Sequence, residues 1–586
     1  MSEAAAARRR DALVAGAIFL LALALRALHF REVALHDPYY ALPTVDDVQY
    51  DAWARRLAEG DGLIDGVLYL GPGYPIFMAA IYAIFGASLP AVKAVQVGLG
   101  ALTPVLVFGL TRELFDRRAA AVAGVLCACY AMLVFYGGTL MTVNLKVPLV
   151  VGAAWMLVRA LRRPGAARFA GAGALVGMAV LVQQTALPWA LLMAPWILFG
   201  TSGAAPLARR AGFTTSFLAG TFAFILPITL HNATSGGDFV LLNSMGGPNF
   251  YMGNQPAADG TWQVPDLGFR HRADNPDEMQ RQFEAAAERA EGRALRPSEV
   301  SAYWMARGVD EVRKDPLRWV ALELRKLALH FNAYEVWNIR SFEISQASSW
   351  VLRLPLATLG LVAPLGLTGL LLSLARWREL VVLYGGMLAY LASSLLFFVL
   401  ARYRIPAMVL LLPFAGFAVV RIADAVRRRE ARWLAPTMIA LALLAVFVHL
   451  PLESSAGRMH MAWYNLGNQY RELERWDEAI AAYQTSLRLV PNAISTRNNL
   501  ALAYELAGRR DEAIRGWQAV LDLARKSGDR LRVERAERHL EALATETERA
   551  STDVAIPSPD PARHPEPDPT SDPTSIAPRA ARTAAP

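Results

Sequence analysis

Apolar residues along this chain come in runs of about 17 to 25, separated by short arginine-bearing stretches. That is the pattern of helices crossing a hydrocarbon layer about 30 Å thick. The runs fall at about 13–30, 91–111, 119–136, 141–160, 169–184, 186–201, 212–231, 350–374, 380–400, 406–424 and 433–451, which predicts an all-α polytopic membrane protein with about 11 transmembrane helices. Between the first two runs, Tyr50, Trp53, Ala54 and Leu57 follow i, i+3, i+4, i+7, so an amphipathic helix suited to a membrane surface is expected there. The apolar segment Gly73 to Gly86 is too short to span and is expected at the interface as well. The stretch 232–348 is too long for a simple link. Its Gly- and Asn-rich start, Gly246 to Asn254, predicts a turn-laden loop, and polar helices follow at about 276–291 and 298–314, giving a mixed loop domain.

After residue 455 the pattern changes. Trp463, Leu466, Gly467, Tyr470, Ala479, Tyr483 and Pro491 sit at the offsets of a tetratricopeptide repeat. Leu500, Tyr504, Ala513 and Trp517 restate Leu466, Tyr470, Ala479 and Tyr483 after 34 residues. The expected organisation is a membrane domain over 1–455, a repeat module over 456–547 (repeats 460–493 and 494–527 plus a capping helix) and a Pro-rich disordered tail over 548–586. Two repeats are few for an independent solenoid, so they are expected to lean on the membrane domain or on a protein partner.

The chain is 54% apolar over 586 residues and carries a net charge of +8, almost wholly from arginine, with only five lysines. Most arginines flank apolar runs, so the charge reads as membrane topology and not as a nucleic-acid surface. Arg8, Arg9 and Arg10 precede the first run. A cleaved signal peptide is the rival reading, but no small-x-small site follows, and a retained first helix is expected. With the amino terminus inside, 31–90, 232–348 and everything after 451 lie outside, at the periplasmic face of a bacterial inner membrane. Nearly every short arginine cluster then falls inside; Arg402 and Arg404 are the exception. Cys127 and Cys129, two apart within one run, read as small packing residues.

The outside loop 31–90 holds paired acids, Asp46 and Asp47, just ahead of the amphipathic helix. Carboxylates there can simply cap its first turn. Two interfacial helices and paired acids above a bilayer are nevertheless more than a connector needs. The same weighing applies to Arg402 and Arg404, since interfacial arginines ordinarily snorkel. Arg26, near the outer end of the first helix, is expected to do so. The sequon-like Asn232-Ala233-Thr234 is discounted as a chance match.

These residues sit within a wider pattern: Asp46-x3-Tyr50-x3-Ala54-x2-Leu57-x2-Gly60, Gly71-Pro72-Gly73-Tyr74-Pro75, Ile84-Phe85-Gly86, Pro227 to Asn232, Gly236-Gly237-Asp238-Phe239-Val240, Gly246 to Pro256, Asp315-Pro316, Arg325-Lys326-Leu327 with Glu335, and Arg402-Tyr403-Arg404-Ile405-Pro406. The order resembles that of the family-39-like bacterial glycosyltransferases of the GT-C class, relatives of the protein O-mannosyltransferases and aminoarabinose transferases, over roughly residues 10 to 425. Two places depart from it. Val143 follows Leu140-Met141-Thr142, where many relatives carry an acid, and Gln183-Gln184 stands where Arg-Pro is frequent.

The resemblance implies transfer of a sugar from a polyprenyl-phosphate carrier to a periplasmic acceptor (protein, lipid or glycan), with inversion and with the loop acid as catalytic residue. Asp46 is then the expected base, with Asp47 as runner-up or as a metal-binding neighbour. A divalent cation stays open, since two adjacent acids do not decide it. Arg402 and Arg404, with Tyr403, are expected at the lipid phosphate, because a guanidinium grips phosphate oxygens in a fork. Lys326, Glu335, Asn254 and Tyr50 are candidate substrate contacts. The rival readings are a lipid-linked glycan polymerase or ligase and a non-catalytic membrane-anchored repeat scaffold.

Overall fold

The computed structural model describes residues 3–200, 206–269, 276–453 and 455–553. Among them the chain is helical throughout, with two isolated β-bridges, Tyr130 to Ala357 and Thr261 to Val399, in place of any sheet. It divides into two units, Met1–Pro491 and Asn492–Pro586.

Among the described residues the first unit has six helices long and apolar enough to cross a membrane: α1 (Glu3–His36), α4 (Leu89–Leu114), α7 (Val143–Arg162), α10 (Leu207–Thr234), α18 (Ala401–Arg428) and α19 (Ala431–Val448). Four shorter apolar helices accompany them: α3 (Gly73–Phe85), α8 (Ala166–Val182), α16 (Leu359–Leu372) and α17 (Val381–Leu396). Leu13, Leu20, Leu226, Leu230, Leu443 and Val446 are exposed on the spans, the outward apolar surface a helix in lipid presents. The run at 119–136 is two helices, α5 (Arg117–Ala128) and α6 (Ala131–Gly137). They part at Tyr130, where the Ala131 amide donates to Ala357 O and the Ala357 amide to Cys129 O. The run at 186–201 is likewise broken, with α9 (Leu187–Pro195) giving way to a π-helical turn over Trp196–Gly200.

Helices α8 and α10 meet backbone to backbone. A Cβ on Gly173 or Gly177 would run into the Phe217 and Thr221 carbonyls, so small residues four apart set the helix separation.

The polar caps of the bundle differ. At one end Asp11 pairs with Arg117 (2.5 Å), Glu113 with Arg159 (3.0 Å) and Asp424 with Arg118 (2.9 Å). This is where the sequence places its cytoplasmic arginines. The other end gathers α2 (Asp46–Glu59), the first turns of α7 and α18, and helices α11 (Gly246–Asn254), α12 (Pro276–Glu291), α13 (Pro297–Lys314), α14 (Pro316–Phe331) and α15 (Phe342–Ser348). The two polar helices of the long loop fall where the pattern predicts them. Gly246 to Asn254, expected as turns, is a helix. Its Gly247 lies on the Ser301 carbonyl of α13 and its Gly253 on the Phe397 carbonyl, so these glycines permit close packing rather than chain reversal.

The first repeat hairpin, α20 (Ser455–Glu472) and α21 (Trp476–Leu489), belongs to this first unit, with Gly467 against the Tyr483 ring. The second unit holds α22 (Ile494–Leu506), α23 (Arg510–Ser527) and α24 (Arg530–Asp553) around Trp517, whose ring stacks on His539. Of the tail expected from 548, the first residues continue α24 to Asp553, and 554–586 lie outside the described residues.

Candidate active site at the Asp46–Arg402 pair

Helix α2 begins at Asp46, and its apolar stripe turns into the protein: Tyr50 packs edge-on against Tyr74, and Trp53 against Tyr69. The stripe expected to lie on lipid is thus buried, with Tyr50 6% and Trp53 2% exposed. The Gly71–Gly73 turn fixes the partner surface by lying flat on the end of α8, where a Cβ on Gly71 would stand 2.8 Å from the Leu181 and Val182 carbonyl oxygens. Tyr74 then donates to Gln96 Oε1 at 2.5 Å. Ahead of the helix, Val45 adopts φ 51° and ψ −113°. A β-branched residue at positive φ is strained, and such strain is held only where surrounding structure over-determines it.

Arg402, in the first turn of α18, donates from Nη1 to Asp46 Oδ2 at 2.7 Å across 356 positions of sequence. The side chains are 10% and 12% exposed. Its other neighbours are weaker acceptors, the Met141 sulfur at 3.3 Å and the Tyr403 hydroxyl at 3.5 Å, and its Nε is buried without a partner. Arg402 lines a cleft with Tyr136, Thr139, Met141, Val336 and Arg340. Arg340 donates to Tyr39 O at 2.9 Å and stands 3.7 Å from Asp37. Sequence reasoning passed over Arg340, because a lone arginine inside a long loop has no pattern to mark it.

Asp47 is buried, with Oδ1 unpartnered. Burial pushes its carboxyl up to about 7, with Asp46 adding to the rise and Arg340, Lys93 and Arg402 opposing it. Lys93, also missed from sequence, sits over the Tyr40 ring and donates to Tyr40 O at 3.1 Å. Lys146, the third missed cation, is fully buried beside the Tyr403 and Tyr390 rings and donates to Gln183 Oε1, at one of the positions where the family pattern departs. A metal fits poorly here. Asp46 is engaged by a guanidinium, and among the described residues no cluster of three or more His, Cys, Asp or Glu forms around the acids.

The other expected contacts are elsewhere or already committed. Arg404 is fully buried and spends its two Nη groups on Leu329 O (2.6 Å), Asn332 O (2.9 Å), Tyr334 O (2.7 Å) and Glu335 Oε2 (2.8 Å), with Nε unpartnered. Positions i and i+2 of a helix point to different sides, so Arg402 and Arg404 do not share a ligand. Glu335 is held by Arg404, with burial raising its carboxyl against that arginine's pull. Lys326 donates to Glu323 (2.7 Å) and Leu395 O (2.7 Å), with Asn254 Oδ1 at 3.4 Å. Asn254 in turn donates to Phe250 O and Leu396 O. Lys326, Asn254, Glu335 and Arg404 therefore tie the long loop to α14, α17 and α18 and leave the Asp46–Arg402 cleft. Arg26 does not snorkel: it is 1% exposed and donates to Ala22 O and Ala128 O, at the carbonyl end of α5. Asn232 is fully buried, bonded to Leu68 N, Val240 O and Leu242 O, which closes it to glycosylation.

Residues 70–231 match the family model described as dolichyl-phosphate-mannose-protein mannosyltransferase, and residues 467–508 match a TPR repeat. No curated protein sequence matches the chain. Among solved structures, the apo Archaeoglobus fulgidus oligosaccharyltransferase is similar at TM-score 0.42 and 15% identity, over 80% of this chain and 59% of that one. The same archaeal enzyme, AglB, in complex with an inhibitory peptide and a dolichol-phosphate gives 0.41 and 15%, over 80% and 59%. ArnT from Cupriavidus metallidurans bound to undecaprenyl phosphate gives 0.32 and 16%, over 70% of this chain and 79% of that one. The chain thus spans under two thirds of the archaeal enzymes it matches.

Proposed function

We propose that this chain is a membrane glycosyltransferase that moves a sugar from a polyprenyl-phosphate donor to a hydroxyl acceptor at the periplasmic face of a bacterial inner membrane. The observation that carries the reading is the 2.7 Å meeting of Asp46 with Arg402, which lines a cleft, at the end of the bundle opposite the Asp11–Arg117 cap. The match of residues 70–231 to a family model described by a dolichyl-phosphate sugar donor supports it.

A hydroxyl is a weak nucleophile at neutral pH, and a positioned carboxylate that takes its proton contributes about 10²–10⁴-fold. Asp46 has that role. The leaving group is a lipid phosphate whose charge grows as the sugar–oxygen bond breaks, and Arg402 stabilises it with a bidentate fork while Arg340 lines the same cleft. Attack opposite the leaving group inverts the anomeric carbon. Tyr403 braces the guanidinium from beside it, its ring centre 5.1 Å away. The repeats of 467–508 hold a protein acceptor or partner near the membrane surface.

Mass analysis of cell-envelope glycans and carrier lipids tests this. Cells producing Asp46→Asn in place of the native protein should accumulate a carrier-linked sugar and lack one envelope glycan modification. An unchanged envelope with normally inserted protein would refute the reading.

A further inference from the structure

Building on the sugar-transfer reading, we propose that the Asp46–Arg402 ion pair is a resting latch, which the donor phosphate opens by taking Arg402 and so frees Asp46 to act as base. Donor binding then has to precede acceptor activation.

The pair itself gives the grounds. Nη1 of Arg402 reaches one strong acceptor, Asp46 Oδ2, and a thioether, while Nη2 reaches a phenol. A guanidinium has five N–H donors, and here Nε is buried with nothing to bond. The charge is therefore under-satisfied, in a side chain 10% exposed on a cleft wall. The phosphodiester of a carrier-linked sugar supplies two non-bridging oxygens that share its charge and match the fork, and it outcompetes a single carboxylate oxygen for the guanidinium. Asp46, meanwhile, has Oδ2 occupied by the Arg402 N–H, so an acceptor hydroxyl cannot donate to that oxygen until the guanidinium is drawn away. The two neighbouring arginines are more fully committed. Arg404 is tied to four acceptors of the chain, and Arg340 to Tyr39 and Asp37.

The acceptor hydroxyl gives its proton to the Asp46 carboxylate as its oxygen bonds to the anomeric carbon. The bond from that carbon to the phosphate oxygen breaks, and the electron pair leaves with the lipid phosphate, which passes from one negative charge to two on Arg402. Asp46 returns its proton to solvent, the lipid leaves, and the pair closes. The latch would thus keep the base engaged whenever no donor is present.

The test is binding of undecaprenyl phosphate, without sugar or acceptor, to full-length protein in detergent. The readout is native mass spectrometry, with melting curves to verify folding. A latch predicts that Asp46→Asn binds about tenfold more tightly than the native protein, because a competitor worth roughly one ion pair is gone. Arg402→Gln should lose binding, and the double variant should match Arg402→Gln. Unchanged or weaker binding by Asp46→Asn, with Arg402→Gln still defective, would overturn the latch and leave the sugar-transfer reading standing. Native-like binding by Arg402→Gln would remove the phosphate role itself. Should Asp46→Asn fail to fold, carbodiimide labelling of Asp46 in the native protein replaces it. Labelling should rise when undecaprenyl phosphate is added, and no rise would overturn the latch.

Discussion

Arg402 and Arg404 are two residues apart and do unrelated work. The spacing that makes them look like a pair in the sequence puts them on different sides of α18, one on a cleft and one in the core. Removing Arg404 leaves Glu335 buried without its cation, so Arg404→Gln should destabilise the protein by about 3–5 kcal/mol. Thermal or denaturant unfolding measures this, and any loss of activity should follow the folded fraction. Asp47 makes a prediction with a definite sign. Its folded carboxyl titrates near 7 against an unfolded value near 3.8, so between those pH values the unfolded chain has released a proton that the folded protein retains. Stability attributable to this group therefore falls as pH rises from about 4 to 7 and is level above that. Asp47→Asn should flatten that slope and raise the melting temperature at pH 8 relative to the native protein. At this scale the sequence offers candidate residue types. It could not say which arginine is spent on backbone carbonyls, because that depends on the turn formed by 329–335, nor that Arg340 shares a cleft with Arg402 from 62 positions away, because only the folded chain brings the 336–340 loop to the first turn of α18.

Elements with a clear hydrophobic period were legible. The polar helices α12 and α13 and the helix after Asp46 fall where their spacing puts them. The glycine-rich Gly246–Asn254 segment was not, since glycine marks both turns and close helix contacts and only the packed neighbour decides which. For Gly247 that neighbour is Ser301 O. The same physics governs the α8–α10 contact. Gly177→Leu would force two touching backbones apart, and it should cost at least about 2–3 kcal/mol or abolish insertion, as overpacked sites do. Expression and melting of the detergent-solubilised variant decide this. The break between α5 and α6 escaped the hydropathy pattern for a related reason: the run stays apolar through Tyr130, and the chain turns because backbone groups bond to Ala357 instead of along the helix.

Across the whole molecule, arginine placement in the sequence anticipated the two unlike ends of the bundle. One end is laced by Asp11, Glu113 and Asp424, and the other holds the acids and Arg402. The boundary between membrane domain and repeats was harder to read. A network through Arg458 joins Glu453 (2.8 Å), Thr261 (2.6 Å) and Asp259 (3.3 Å), while Arg325 also binds Glu453, and Gln469 donates to Pro38 O. The first repeat is thereby fastened to segments that flank the cleft. Truncation before Arg458 should lower the melting temperature of the membrane unit, whereas a freely tethered repeat would leave it unchanged. The account as a whole depends on Asp46 acting as base in transfer from a lipid phosphate. Its most direct test is the turnover of purified protein with its envelope-derived carrier-linked sugar and acceptor. Asp46→Asn should reduce kcat by about 10²–10⁴-fold while the protein remains folded and still binds undecaprenyl phosphate. Full turnover by that variant would contradict the account.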